Sequence, residues 1–283
     1  MATLMPVHKQ TVRANGADLY CEMRGSGPAI LFISGALGDA GVYEQISEEL
    51  GDAFTCITYD RRGNSRSPKP SGWTATSIEE QAEDAAALIA ALRTQPLGVF
   101  GSSGGGTIAL ELVVRHPELV RGAVLHEPYV ITALGEQAAA IDANWRSILT
   151  PIYFSKGPRG AVEAFFRMVG GDTTYEALDP GLRERILDNG EVAFLVESPV
   201  YQAYRPTAAT LAGIRRPVRV LASEDTALPY LNTVCDWLAG HLHTSVGHLS
   251  GGHGAYMARP SETATILRPY LAEITSNQAQ GVA

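Results

Sequence analysis

Cysteine is scarce in this chain: Cys21, Cys56 and Cys235 stand far apart in 283 residues. An odd number cannot all pair within one chain, and no C-x-x-C spacing offers a metal clamp. The expectation is free thiols in a reducing compartment, the cytoplasm. Positive charge is short as well. Lys and Arg number 22 against 30 Asp and Glu, a formal net charge of −8. Such a surface repels phosphate backbones and anionic lipid, which argues against nucleic acid and membrane as partners. No stretch approaches the roughly 20 apolar residues of a membrane span. Met1 to Asn15 carries no apolar core of the kind a secretory leader needs. Internal repeats and low-complexity tracts are missing too. What remains is a chain 45% hydrophobic, ample for one sizeable core, with one domain or two allowed by its length. A small-molecule substrate is the expected partner, and a homodimer is left open.

Strand-like and helix-like segments alternate along the first half. Residues 11–12 and 19–23 read as a hairpin turned at Asn15-Gly16. Residues 29–33 form a short, wholly apolar run, as in a strand buried on both faces. A helix over 42–50, a strand over 54–59 and a polar loop over 60–68 follow. Ser77, with Glu80 three residues on, has the pattern of a capping box opening a helix to residue 92. Then come a strand at 97–100, a helix at 104–116 stopped by Pro117, and a strand at 122–125. Residues 128–216 break the rhythm, with helical patches, no clear strand and many aromatics. Strand character returns at 217–222. A helix near 230–239, a strand near 244–246 and a helix over 261–273 close the chain, with a frayed tail after Thr275. Alternation of this kind predicts a mostly parallel sheet flanked by helices. Its core would span residues 1–127 and 217–283, with 128–216 inserted between the sixth and seventh strands as a helical cap. Ligands bind at the carboxyl ends of such strands, so the insertion would sit over the site as a lid.

The strongest chemical signal is Gly101-Ser102-Ser103-Gly104-Gly105. It matches G-x-S-x-G between an apolar strand and a helix, the setting of a nucleophile elbow. The serine needs a tight, strained turn that lifts its hydroxyl above the sheet, and small residues on either side let strand and helix approach. Ser103 is therefore the candidate nucleophile, with Ser102 its neighbour and rival. The Gly104 N–H at the helix start points to where an oxyanion would develop. Neither the P-loop pattern nor G-x-G-x-x-G is matched. Ile33-Ser-Gly-Ala-Leu-Gly38 follows a buried strand, and its glycine turn can aim the Ala36 N–H, with Leu37 beside it, at the same oxyanion.

The base should come late, in the order serine, acid, histidine. His253, in Gly251-Gly-His-Gly-Ala-Tyr256, lies after the last strand and before the last helix. It is preferred over His248, which reads as structural. For the acid, Glu127 leaves the sixth strand just before the insertion, whereas Glu224 and Asp225 follow the seventh. Glu127 is favoured and the other two stay open.

Together these segments resemble the α/β-hydrolase superfamily over nearly the whole chain, from about Thr11 to Ala272. The loop Tyr59-Asp-Arg-Arg-Gly-Asn-Ser-Arg-Ser67 is similar to the family's loop after the fourth strand, and His253 to Pro260 to its histidine segment. Thr226 stands where the family's common G-x-x-D pattern puts an aspartate. Leu125-His-Glu-Pro128 instead resembles a bacterial subgroup whose acid is a Glu after the sixth strand, a placement similar to that of zearalenone lactonase. The resemblance implies a Ser103–Glu127–His253 triad, a Gly104 and Ala36 oxyanion hole, and hydrolysis of an ester or lactone without metal or organic cofactor. An aromatic-rich cap predicts an apolar or aromatic substrate, with Leu37, Tyr129, Trp145, Tyr153 and Phe154 as its contacts. The alternatives are a carbon–carbon bond hydrolase with the same triad and a ligand-binding module on a hydrolase scaffold.

Overall fold

The computed structural model describes residues 6–276. Residues 1–5, and the frayed tail expected beyond Ser276, lie outside the described residues. Eight strands form one sheet in the order β1-β2-β4-β3-β5-β6-β7-β8. They are β1 (Val7–Ala14), β2 (Ala17–Gly25), β3 (Ala29–Ile33), β4 (Thr55–Tyr59), β5 (Leu97–Ser102), β6 (Val120–His126), β7 (Val218–Ser223) and β8 (Val246–Leu249). The β1–β2 hairpin turns at Asn15-Gly16, both at positive φ, and joins the sheet antiparallel to β4; every pairing from β4 to β8 is parallel.

Helices cover both faces. In chain order they begin with α1 (Glu44–Leu50), α2 (Ile78–Leu92) and α3 (Gly104–Arg115). Ser77 caps α2, its hydroxyl accepting the Glu80 N–H at 3.0 Å. The reciprocal arm of the capping box is diverted: the Glu80 carboxylate accepts from Trp73 Nε1 and Thr76 Oγ1 instead. The helix expected over 42–50 divides into a 3-10 turn, Ala40–Tyr43, and α1. The α3 helix ends one residue early because a residue preceding proline is pushed out of the helical region, and His116 sits at φ −129°, ψ 55°. After the insertion come α9 (Tyr230–His241), α10 (Ala255–Ala258) and α11 (Pro260–Thr275), where the insertion's own helices take numbers four to eight. The last strand starts two residues later than the sequence implies, because Thr244 N–H is drawn back to Ala239 O at the end of α9. One apolar layer packs the sheet against α2, α3 and α9, the other against α1 and α11.

The polypeptide between β6 and β7 contains no strand and folds as helices: α4 (Gln137–Gly170), α5 (Asp172–Glu176), α6 (Pro180–Asp188), a π-helical turn (Val192–Glu197), α7 (Ser198–Ala203) and α8 (Ala208–Ala212). The α4 helix kinks at Gly157, φ 74°, next to Pro158. Val162, Phe166, Tyr175, Leu182 and Ile186 give the insertion a small core that also takes in Leu37 from the sheet domain. Among the described residues, no helix is long and apolar enough to cross a membrane.

Candidate active site

Three neighbouring parallel strands, β3, β5 and β6, deliver the site at their carboxyl ends. Each exit carries one non-glycine residue in the left-handed region: Leu37 at φ 72°, Ser103 at 57° and Glu127 at 41°. Such backbone is costly and persists only where its surroundings over-determine it. At Ser103 the determinants are plain. Its N–H donates to His126 O at 2.9 Å, and its carbonyl accepts from Gly106 and Tyr129 N–H. Strand and helix close so tightly that a Cβ on Gly105 would fall 2.0 Å from the Ile33 carbonyl oxygen. The Ser103 side chain turns to the cavity, beside Gly35. Ser102 turns the other way: it is fully buried, with its hydroxyl 2.9 Å from His126 Nδ1.

Glu127 is fully buried, and its Oε2 accepts from His253 Nδ1 at 2.5 Å. Its Oε1 accepts the Ser223 backbone N–H at 3.2 Å. Burial pushes this carboxyl up, but the hydrogen bond and charge of His253, with smaller help from His126 and Thr226, outweigh it and hold Glu127 down at about 2. Thr226, at the position where the family's common pattern puts an aspartate, thus supports the glutamate. Glu224 and Asp225 are exposed, as is His248 on β8. Because a carboxylate only accepts, His253 carries its proton on Nδ1, leaving Nε2 free as a base. His126 completes this layer, its ring stacked on His253 at 5.8 Å and its Nε2 2.9 Å from Ser223 Oγ. Burial, followed by the His253 charge, holds His126 down at about 4 against the pull of Glu127, so it is neutral.

The β3 exit loop is gripped by its carbonyls. Arg61, 1% exposed, donates to Ser34 O at 3.1 Å and Gly35 O at 2.8 Å. The same guanidinium holds Glu197 of the insertion through two bonds of 2.6 and 2.7 Å. Asn189, also from the insertion, donates to Leu37 O at 2.6 Å. With the carbonyls of residues 34, 35 and 37 pulled away, the peptide edge at exposed Ala36 is presented to the cavity. Gly104 N–H is the first of α3 and has no acceptor within the helix.

A cavity of about 360 Å³ lies over these strand ends, between sheet and insertion. Ser103, Gly104, Ala36, Leu37, Tyr129, Trp145, Tyr153 and Phe154 all line it. Phe154 is 83% exposed and therefore edges the mouth. Phe165, Phe194, Tyr201 and Tyr230 line it too, beyond the contacts expected from sequence. Phe166 and Tyr204 turn instead into the cores of the insertion and the sheet.

A family model described as alpha/beta hydrolase fold matches residues 28–176, more than half of the chain. The chain belongs to the alpha/beta hydrolase fold family. An uncharacterized hydrolase of Bacillus subtilis, YraK, is 38% identical over 130 residues, 46% of this chain. That match spans about half of YraK, 48% of its length. Zearalenone hydrolase of Bionectria ochroleuca is 24% identical over 272 residues, 92% of this chain and 95% of that protein. The enol-lactonase of Burkholderia xenovorans LB400 superposes with a TM-score of 0.73 at 16% identity, covering 93% of this chain and 100% of that one, a likeness of fold. In this alpha/beta hydrolase, sequence reasoning missed His126, Ser223, Arg61 and Asn189. Only Arg61 carried a signal, as one of the charged residues crowding the loop that follows the buried β4.

Proposed function

We propose that this alpha/beta hydrolase cleaves the carboxylic ester or lactone bond of a small apolar or aromatic substrate through an acyl-enzyme on Ser103. The observation that carries the reading is the 2.5 Å bond from His253 to the fully buried Glu127 at the sheet edge that also bears the strained Ser103 turn. Ser103 Oγ attacks the carbonyl carbon while His253 Nε2 takes its proton. The Gly104 and Ala36 N–H groups meet the oxyanion, each donor worth about 3–4 kcal/mol. Glu127 fixes the tautomer of His253 and stabilises its imidazolium form. His253 then protonates the departing oxygen, and water attacks the acyl group by the same route in reverse. The cavity wall of Tyr129, Trp145, Tyr153 and Phe165 supports an apolar or aromatic group, and residues 128–216 act as its lid.

A fluorophosphonate probe tests this directly. It should label Ser103, and Ser103→Ala should abolish labelling and cost on the order of 10⁶-fold in turnover, the scale known for a serine nucleophile. Labelling of Ser102, or undiminished ester hydrolysis by the alanine variant, overturns the reading. A panel of p-nitrophenyl esters, lactones and β-diketones separates ester from carbon–carbon cleavage.

A further inference from the structure

Tyr201 stands on α7, lines the cavity and is 8% exposed, and its hydroxyl oxygen is itself buried. Among the described residues it is the only cavity-lining side chain with a buried polar atom that has no hydrogen-bond partner. The ring is not free to seek one, since it packs edge-on against Tyr129 at 5.6 Å. Its place is set against the nucleophile: a Cβ on Gly104 would fall 2.1 Å from the Tyr201 hydroxyl oxygen, so the residue after Ser103 has to be glycine for this tyrosine to reach in. Burial, with the nearby Glu197 carboxylate, pushes the phenol up to about 12 against the Arg61 charge, so it keeps its proton and acts as a donor at neutral pH.

A desolvated donor with no acceptor is a cost to the free protein that phenylalanine would not incur. Held over the residue that follows the nucleophile, it is poised to pair with a bound molecule. We infer that the Tyr201 hydroxyl is a substrate-binding donor, selecting acyl groups that carry a second oxygen acceptor two or three bonds from the scissile carbonyl carbon. The hydroxyl lies where a side chain would leave the Gly104 Cα, to the side of the Gly104 N–H. Its proton therefore meets an atom next to the carbonyl group, while the carbonyl oxygen itself belongs to the backbone amides. Glu197, one helical turn away on the same wall, is committed to Arg61 and does not compete for the proton. This inference rests on the ester or lactone reading and narrows it to α- or β-oxygenated acyl groups.

The test is a matched pair of esters, methyl benzyloxyacetate and methyl 4-phenylbutanoate, which differ by one ether oxygen in place of a methylene. Their kcat/KM ratio is measured for the wild-type protein and for Tyr201→Phe, so that intrinsic reactivity cancels. The preference for the oxygenated ester should fall at least tenfold in Tyr201→Phe, whose Tm should be unchanged or raised. The same pair is titrated against Ser103→Ala and the Ser103→Ala/Tyr201→Phe double variant, following intrinsic tryptophan fluorescence, to which Trp145 in the cavity wall contributes. There the oxygenated ester should lose its binding advantage when Tyr201 is replaced. A kcat/KM ratio that does not move, whether both esters slow together or neither does, overturns the inference. If the wild-type protein cleaves neither ester, the hydrolase reading fails by itself, and the titration still decides: no oxygen preference, or no binding, overturns the role of Tyr201.

Discussion

Replacing Glu127 by glutamine changes one atom and should nearly silence the protein. The substitution keeps the volume of a fully buried side chain, so the fold should survive. Its orientation is dictated by a group outside the triad. Ser223 N–H donates to Oε1, so the amide oxygen of glutamine must stay on that side and its NH2 must face His253 Nδ1. An NH2 can only donate there. His253 must then accept at Nδ1, which moves its proton to Nε2 and leaves nothing to take the Ser103 proton. The carboxyl is held at about 2, chiefly by the hydrogen bond and charge of His253 against its burial, and a neutral amide forfeits that attraction as well. Neutralising a triad acid with the wrong tautomer costs roughly 10⁴-fold in turnover, about 5 kcal/mol of barrier. Steady-state hydrolysis of a p-nitrophenyl ester, with Tm and circular dichroism as fold controls, measures it. Asp225→Asn, at an exposed loop position, should leave turnover within about twofold of wild type. A Glu127→Gln variant within tenfold of wild type, or an Asp225→Asn variant that loses as much, refutes the reasoning.

Acid should weaken the protein through His126. Its folded value of about 4 lies below the ordinary 6.5, so the stability it contributes is fully present above about pH 6.5 and drains away as pH falls toward 4. Urea midpoints at pH 7 and pH 5 should differ less in His126→Gln than in wild type, and an equal difference would remove His126 from the account. Glu127 adds a second window, its contribution present above pH 4.5 and lost as pH falls toward 2, visible as a further fall in midpoint that Glu127→Gln lacks. Removing Glu197 alone, as Glu197→Ala, strands a buried guanidinium and should cost about 3–5 kcal/mol in a denaturation curve. The pair replacement Arg61→Met/Glu197→Leu should recover most of that stability but not the turnover, because Ser34 and Gly35 lose their grip; recovery of both would separate Arg61 from the oxyanion loop.

Order and type of the sheet elements were legible because buried parallel strands read as short apolar runs and the helices between them carry their own stop signals. Residues 29–33 and the Ser77 cap needed no tertiary information. Element ends were less legible, since they answer to contacts along the finished chain: one backbone bond ties Thr244 back to Ala239 in α9. Glu127 is favoured as the partner of His253 from its place at the end of the sixth strand and from Thr226 standing at the usual aspartate position, but chain order alone leaves Glu224 and Asp225 open. The clamp on His126 could not be anticipated, because Ser102 and Ser223 lie 24 and 97 residues from it in sequence and meet it only across β5, β6 and β7. The loop after β4 reads as polar in sequence, yet Asp60, Arg61 and Asn64 are buried in it. Composition alone does not tell a wet loop from a buried ionic cluster whose partners arrive from residues 189 and 197.

That cluster sets a rule for anyone remaking the protein. The helices between β6 and β7 form most of the cavity wall and look exchangeable, joined to the sheet domain at two chain crossings. They are also wired to the loop that leaves β3: Glu197 completes the shell of Arg61, and Asn189 holds the carbonyl of Leu37. A chimera that imports a foreign wall without equivalents of those two side chains would leave the buried Arg61 without its carboxylate beneath the β3 exit loop. Such a graft would fail by unfolding before its new specificity could be assayed. Recombination at this junction therefore has to move residues 61, 189 and 197 as a unit, although they are scattered over more than a hundred positions of sequence.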